Sequence, residues 1–208
     1  MSNPAAPHYI TVVSGVPRSG TSLMMRMLEA GGVPPLSDGL RQPDDNNPHG
    51  YFELEAVKRT KADPTWVASA RGKAVKVICP LLPDLPAALP ASLGGGTLEY
   101  RVVLMVRDLD EVVASQTSML KRLGKVPASL APDALKKLFT QQLDLTRRWA
   151  QAPSRSLLEV PYNQLMASPA VAIAIIGRIQ TFMAGHAPLG AAEMVGTIDP
   201  GLYRERRG

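Results

Sequence analysis

The chain has 208 residues, a net charge of +5, a single cysteine and three scattered histidines. That length suits one α/β domain with a sizeable core. The composition excludes an intramolecular disulfide and a histidine-based metal spacing. Few aromatics and no long basic run argue against a nucleic-acid surface, and the modest charge suits a small, multiply charged anion. No apolar run is long enough to span a membrane, and MSNPAAPHY is too short and polar for a signal peptide, so a cytoplasmic location is expected.

The first organised stretch is YITVVSGVPRSGTSLMMRML, Tyr9 to Leu28. Ile10, Val12 and Val13 read as a buried strand, and Gly15 to Gly20 as a turn. From Thr21 a helix is expected, with Leu23, Met24, Met27 and Leu28 on one face. Strand, glycine-bounded loop and helix N-terminus form an anion site, because backbone N–H groups converge there and the helix dipole favours negative charge. The glycine spacing fits a nucleotide-binding P-loop, but Thr21 and Ser22 stand where that frame has Lys and Ser/Thr. The cation is Arg18, inside the loop, and a guanidinium grips phosphate or sulfate with two parallel hydrogen bonds.

Gly31, Gly32 and Pro34 end this helix. The polar stretch Pro35 to Gly50 carries Asp38, Arg41, Asp44, Asp45 and His49 and is read as an active-site loop, a solvated connection being the alternative. A helix is expected over Tyr51 to Arg59, with Glu53 near its start. Lys73 to Pro80 reads as a strand interrupted by Lys76, a lysine whose place near the end of a buried strand suggests that it reaches an anion. A short helix is expected around Leu85 to Leu89. Tyr100 to Val106 is a continuous apolar run, which indicates a parallel strand covered on both faces. Arg107 and Asp108 follow at its C-terminal end, where ligands gather in open α/β sheets. The next helix, Asp110 to Arg122, has Val112, Val113, Met119 and Leu120 inward and carries Ser115 and Gln116. Arg107 and Ser115 together suit one phosphate; an ion pair between Arg107 and a carboxylate is the alternative.

An amphipathic helix over Pro132 to Ala150 is expected to bury Leu135, Leu138, Phe139, Leu145 and Trp149 and to leave Lys136, Lys137, Arg147 and Arg148 in solvent. Ser156 to Val160 is a further strand, followed by Tyr162 at the sheet edge. Ser168-Pro169 reads as a helix N-cap with proline at the first position. The helix that follows, to about Ala184, places Val171, Ile175, Ile176, Ile179 and Phe182 inward. Arg204, Arg206 and Arg207 make a basic tail, disordered or ligand-binding. The alternation of strand and helix predicts a single P-loop-type α/β domain over 1–208, with a central parallel sheet flanked by helices.

VPRSGTSLMMRML resembles the 5′-phosphosulfate loop of the sulfotransferase superfamily, and is most similar to the tyrosylprotein branch and its bacterial relatives. VVLMVRDLDEVVAS resembles that superfamily's 3′-phosphate motif, and VPYNQLMASP its Val-x-Tyr-Glu-Asp-Leu segment, with Asn163-Gln164 replacing the acidic pair. The resemblance implies binding of 3′-phosphoadenosine 5′-phosphosulfate (PAPS) and transfer of its sulfuryl group to a hydroxyl or amine acceptor, with no metal. By position, Arg18, Ser19, Gly20, Thr21 and Ser22 would hold the 5′-phosphosulfate. Arg107 and Ser115 would hold the 3′-phosphate, Tyr162 would contact the cofactor, and Lys76 would sit near the leaving phosphate. Asp38 is the first candidate for general base, with Glu53 and His49 as alternatives. Two other functions are open: a nucleotide or small-molecule kinase with a degenerate loop, in which Asp108 would hold magnesium, and a non-catalytic nucleotide-binding protein.

Overall fold

The computed structural model describes residues 8–44, 47–122, 124, 131–185, 189–203 and 205. Asp45, His186, Arg204, Arg206 and Arg207 lie outside the described residues. Four strands, β1 (Ile10–Gly15), β2 (Ala74–Lys76), β3 (Tyr100–Val106) and β4 (Arg155–Pro161), form an all-parallel sheet in the order β2-β1-β3-β4. The helices are α1 (Thr21–Ala30), α2 (Leu109–Arg122), α3 (Pro132–Trp149), α4 (Tyr162–Leu165), α5 (Pro169–Phe182) and α6 (Ala191–Gly196). No helix among the described residues is long and apolar enough to cross a membrane.

The side-chain period of a strand sorts the core. Val13, Val103 and Met105 face one way and pack with Met24, Met27 and Leu28 of α1 and Ile176 of α5. Val12, Val75, Tyr100 and Val102 face the other way, against Trp66, Val67 and Leu82. Both faces are covered, which is why β3 reads as a continuous apolar run. The register Ile10↔Tyr100 through Gly15↔Met105, with Val13↔Lys76 and Val106↔Pro161, brings the C-terminal ends of all four strands to one edge. From β1 the chain goes first to β2 on one side and then to β3 on the other. This is a topological switch point, and a crevice opens there.

Helix α1 ends in a Schellman turn. The Gly32 N–H donates to the Glu29 carbonyl and the Val33 N–H to the Leu28 carbonyl, with Gly32 left-handed at φ 99°. The N-cap of α5 is as the sequence indicates: Ser168 Oγ accepts from the Val171 N–H, and Pro169 occupies the first turn.

Several elements differ from the sequence reading. The helix expected over Tyr51 to Arg59 is only a 3-10 turn, Glu55–Arg59, because Gly50 and Phe52 take left-handed backbone at φ 87° and 51°. The strand expected over Lys73 to Pro80 stops at Lys76, and a 3-10 turn occupies Cys79–Asp84. Leu85 to Leu89 is not helical; Ala88 bridges to Thr97 as extended chain, between Pro86 and Pro90. Helix α3 buries Leu135, Phe139, Leu143 and Thr146, while Leu138 and Leu145 are 45% and 56% exposed and Trp149 is half-buried. Of its cations, Lys136 pairs with Asp110 and Arg147 with Glu159, both at 2.7 Å. Helix α5 turns Ala172 inward rather than Val171, and Phe182 is half-buried, as are Leu23, Met119 and Leu120.

Candidate functional site

The turn after β1 is closed by Ser19, fully buried, whose Oγ donates to the Val16 carbonyl at 2.8 Å. A Cβ on Gly15 would lie 2.3 Å from that oxygen. Ser19 thus shapes the loop from beneath. Arg18 holds left-handed backbone, φ 67°, at a cost on the order of 1–2 kcal/mol for a residue with a side chain. Gly20 is the N-cap of α1 at φ 98° and offers no side-chain cap. The tyrosine ring of Tyr162 lies directly over Gly20, so an added Cβ would come within 2.4 Å of it. The first N–H groups of α1, at Thr21, Ser22 and Leu23, have no intrahelical acceptors and stand at the wall of the crevice.

That crevice is a cleft of about 440 Å³, and Arg18, Ser22, Glu53, Lys76, Arg107 and Tyr162 are among the residues lining it. Lys76 ends β2, and its side chain is 9% exposed. Its ammonium donates to the Tyr51 carbonyl at 2.9 Å and to Ser22 Oγ at 3.2 Å, with Glu53 Oε1 at 3.8 Å. Burial pushes the Lys76 ammonium down to about 8; Glu53 opposes the shift, and Arg41 and Arg18 add to it. Arg41 stacks on the Tyr51 ring at 3.4 Å and pairs with Glu53 at 2.7 Å. The loop between α1 and β2 thus supplies one wall of the cleft, His49 included.

The other wall comes from the end of β3. Arg107 is 7% exposed and pairs through Nε with Glu111 Oε2 at 2.9 Å; Glu111 itself is 3% exposed. A second nitrogen, Nη1, donates to the Arg18 carbonyl at 3.2 Å, tying β3 to the loop. Arg18 Nε donates to Ser115 Oγ at 3.0 Å, so the two stretches expected from the sequence to bind anions touch. The Arg107 guanidinium stands 4.9 Å from the Tyr162 ring and 5.2 Å from the Tyr203 ring.

The structure thus brings Arg18, Gly20, Thr21, Ser22, His49, Glu53, Lys76, Arg107 and Tyr162 to one cleft, with Ser115 buried behind Arg18. Asp38 is elsewhere. It is exposed, and its carboxylate accepts from the Glu55 and Leu40 N–H groups at 2.6 and 3.0 Å, capping the 3-10 turn Glu55–Arg59. Those hydrogen bonds hold its carboxyl below the usual range. Asp108 is also a cap: its Oδ1 accepts from the Asp110 and Glu111 N–H groups at 2.9 and 3.0 Å. Sequence reasoning missed Glu111 and Tyr203. An acid four residues after Arg107 at a helix start is a legible signal for the first. The Tyr203 hydroxyl bonds to Asn163 and Glu111, both distant in sequence, and so gives no local signal.

No family model matches the sequence, and no curated protein matches it. In structure the chain is similar to the sulfotransferase domain from the curacin biosynthetic pathway, at 13% identity and a TM-score of 0.47, over 97% of this chain and 78% of that one. It is also similar to a sulfotransferase from Alicyclobacillus acidocaldarius, at 11% identity and a TM-score of 0.46, over 95% and 88%. At these values the likeness assigns no activity, and the functional reading rests on the geometry of this chain's own cleft.

Proposed function

We propose that the protein is a sulfotransferase that takes a sulfuryl group from PAPS and passes it to a hydroxyl or amine acceptor. One observation carries this reading: a helix N-terminus, Arg18, Lys76 and Arg107 converge on a single cleft at the sheet's switch point. The residues fit a donor with two anionic ends. Gly20 supplies no side-chain cap to the first N–H groups of α1, and the buried ammonium of Lys76 is one that an anion would stabilise. Arg18, Gly20, Thr21, Ser22 and Lys76 would hold the 5′-phosphosulfate, with Ser19 keeping the loop's shape. Arg107 would hold the 3′-phosphate, beside Tyr162, and Ser115, expected from the sequence to share that phosphate, instead steadies Arg18 from behind. When bound, the donor supplies the sulfuryl group and leaves as the 3′,5′-bisphosphate.

The chain's own groups then have defined tasks. Lys76, Arg18 and the loop N–H groups lower the cost of negative charge at the 5′ end, because they are already oriented there. Glu53 is the base: it lines the cleft, and its Oε1 is held between Arg41 and Lys76, where it can take the acceptor's proton. His49 is the second candidate on the same wall.

The test is transfer of labelled sulfate from PAPS to a metabolite extract, with products identified by mass. The wild type is expected to give labelled products, and Arg18→Ala to lose most of that transfer. Labelled phosphate moving from ATP instead would favour a kinase. Tight donor binding with no transfer to any acceptor would favour a non-catalytic nucleotide-binding protein.

A further inference from the structure

Asp199 and Leu202 line the cleft, and Tyr203 enters the network around Arg107. The Asp108 N–H donates to Asn163 Oδ1 at 2.9 Å, and Asn163 Nδ2 donates to the Tyr203 hydroxyl at 2.7 Å. The Tyr203 hydroxyl donates to Glu111 Oε1 at 3.0 Å, and Glu111 Oε2 accepts from Arg107 Nε at 2.9 Å. Asp108 follows Arg107 in sequence, so these bonds close a ring.

The polarity of the ring is fixed from one end. A backbone N–H can only donate, so the Asn163 atom facing Asp108 is the carbonyl oxygen. Its partner atom is then the NH₂ group, which can only donate. The Tyr203 oxygen accepts that bond and must send its own proton to Glu111. An aspartate at 163 could not do this, because it has no donor for the tyrosine oxygen. The asparagine that departs from the acidic pair of the resembling motif is therefore matched to Tyr203. The Tyr203 ring adds packing, edge-on to Tyr162 at 5.3 Å and 86°.

We propose that Tyr203 and Asn163 are positioning residues that hold Glu111 against Arg107 and so aim the guanidinium at a nucleotide 3′-phosphate. The ring geometry is independent of any ligand; the 3′-phosphate rests on the donor reading above. Glu111 by itself is a carboxylate beside the cation that the phosphate needs. Anchored by Tyr203, it engages Nε, while Nη1 donates to the Arg18 carbonyl at 3.2 Å and Arg107 lines the cleft.

The experiment compares wild type, Tyr203→Phe and Asn163→Asp by two readouts. The first is the Arg107 Nε–H signal in ¹⁵N NMR, identified by its disappearance in Arg107→Lys. Its proton exchange is expected to be at least about tenfold faster in both variants, the scale of one lost hydrogen bond to a charged group. The second is calorimetry with 3′,5′-adenosine bisphosphate and 5′-AMP. The preference for the bisphosphate is expected to fall about tenfold in both variants, with 5′-AMP affinity unchanged. Tyr203→Phe and Asn163→Asp both leave the aromatic packing in place and break the network at different bonds, so a folding defect in one does not mask the result in the other. Unaltered Nε–H exchange would overturn the proposal. Faster exchange with an unaltered bisphosphate preference would overturn the positioning of the phosphate. Faster exchange in a protein whose wild type shows no preference would instead overturn the donor reading and leave the Tyr203–Arg107 linkage standing.

Discussion

Lys76 joins burial, charge and ligand in one side chain. With its ammonium at about 8 in the folded chain and about 10.5 unfolded, the folded state gives up the proton first as pH rises. Between those values the unfolded chain binds more protons, so stability rises with pH, by up to about 3 kcal/mol. Below pH 8 both states are protonated and the cost of burying the charge is fully present. Urea titrations of the ligand-free protein at pH 7 and pH 10 are expected to show that rise in the wild type and not in Lys76→Met. Donor affinity has the opposite trend: it is expected to fall as pH climbs through about 8, and to be weak and flat over that range in Lys76→Met. The candidate bases separate on the same scale. Glu53→Gln is expected to lose roughly 10²–10⁴-fold in turnover while keeping donor affinity. Asp38→Ala is expected to leave turnover near wild type and to cost about 1 kcal/mol of stability, the scale of a lost helix cap. Kinetics at saturating donor and a thermal melt check both. The sequence puts Asp38 in the polar loop after α1, but it cannot show that the carboxylate is spent on the Glu55 and Leu40 N–H groups rather than lining the cleft.

At the scale of an element, α3 shows how a helix can be found without its inner face being known. Two apolar stripes overlap in its sequence: Leu135, Leu138, Leu145 and Trp149, and Leu135, Phe139, Leu143 and Thr146. The second faces the core, and it succeeds with a threonine in it because Thr146 Oγ1 donates to the Gln142 carbonyl within the helix. Leu143→Ala is therefore expected to cost about 2–5 kcal/mol, and Leu145→Ala to stay within about 0.5 kcal/mol. Denaturant midpoints of the two variants check this. Helix α1 was legible almost entirely, because its start and stop signals are glycines whose left-handed backbone the local sequence demands. The segment from Ile78 to Leu93 was not, because Pro80, Pro83, Pro86 and Pro90 favour 3-10 turns and extended chain over the helix its apolar residues suggest.

For the whole molecule, the switch point at β1 makes the cleft a product of the sheet order, and ligand and fold should be coupled. At a concentration about 100 times its Kd, 3′,5′-adenosine bisphosphate is expected to stabilise the protein by about 2.7 kcal/mol, or roughly 5–11 °C in Tm for a chain of this size. Raising salt from 50 to 500 mM should shrink that shift, since the contacts are ionic. Thermal melts at the two ionic strengths test it. The parallel sheet was readable from β3, whose run from Val102 to Val106 is apolar on both faces. The network joining Tyr203 to Arg107 was not, since only the folded chain brings those segments together. The central place of β1 also bears on how the molecule comes to be folded. Both of its neighbours follow it in the chain, so each of its edges stays open until a distant segment returns, and only the short Ser19–Val16 contacts hold the loop after it before then. Refolding should accordingly be slow for a domain this small, with an exposed apolar strand that favours pairing between chains as protein concentration rises.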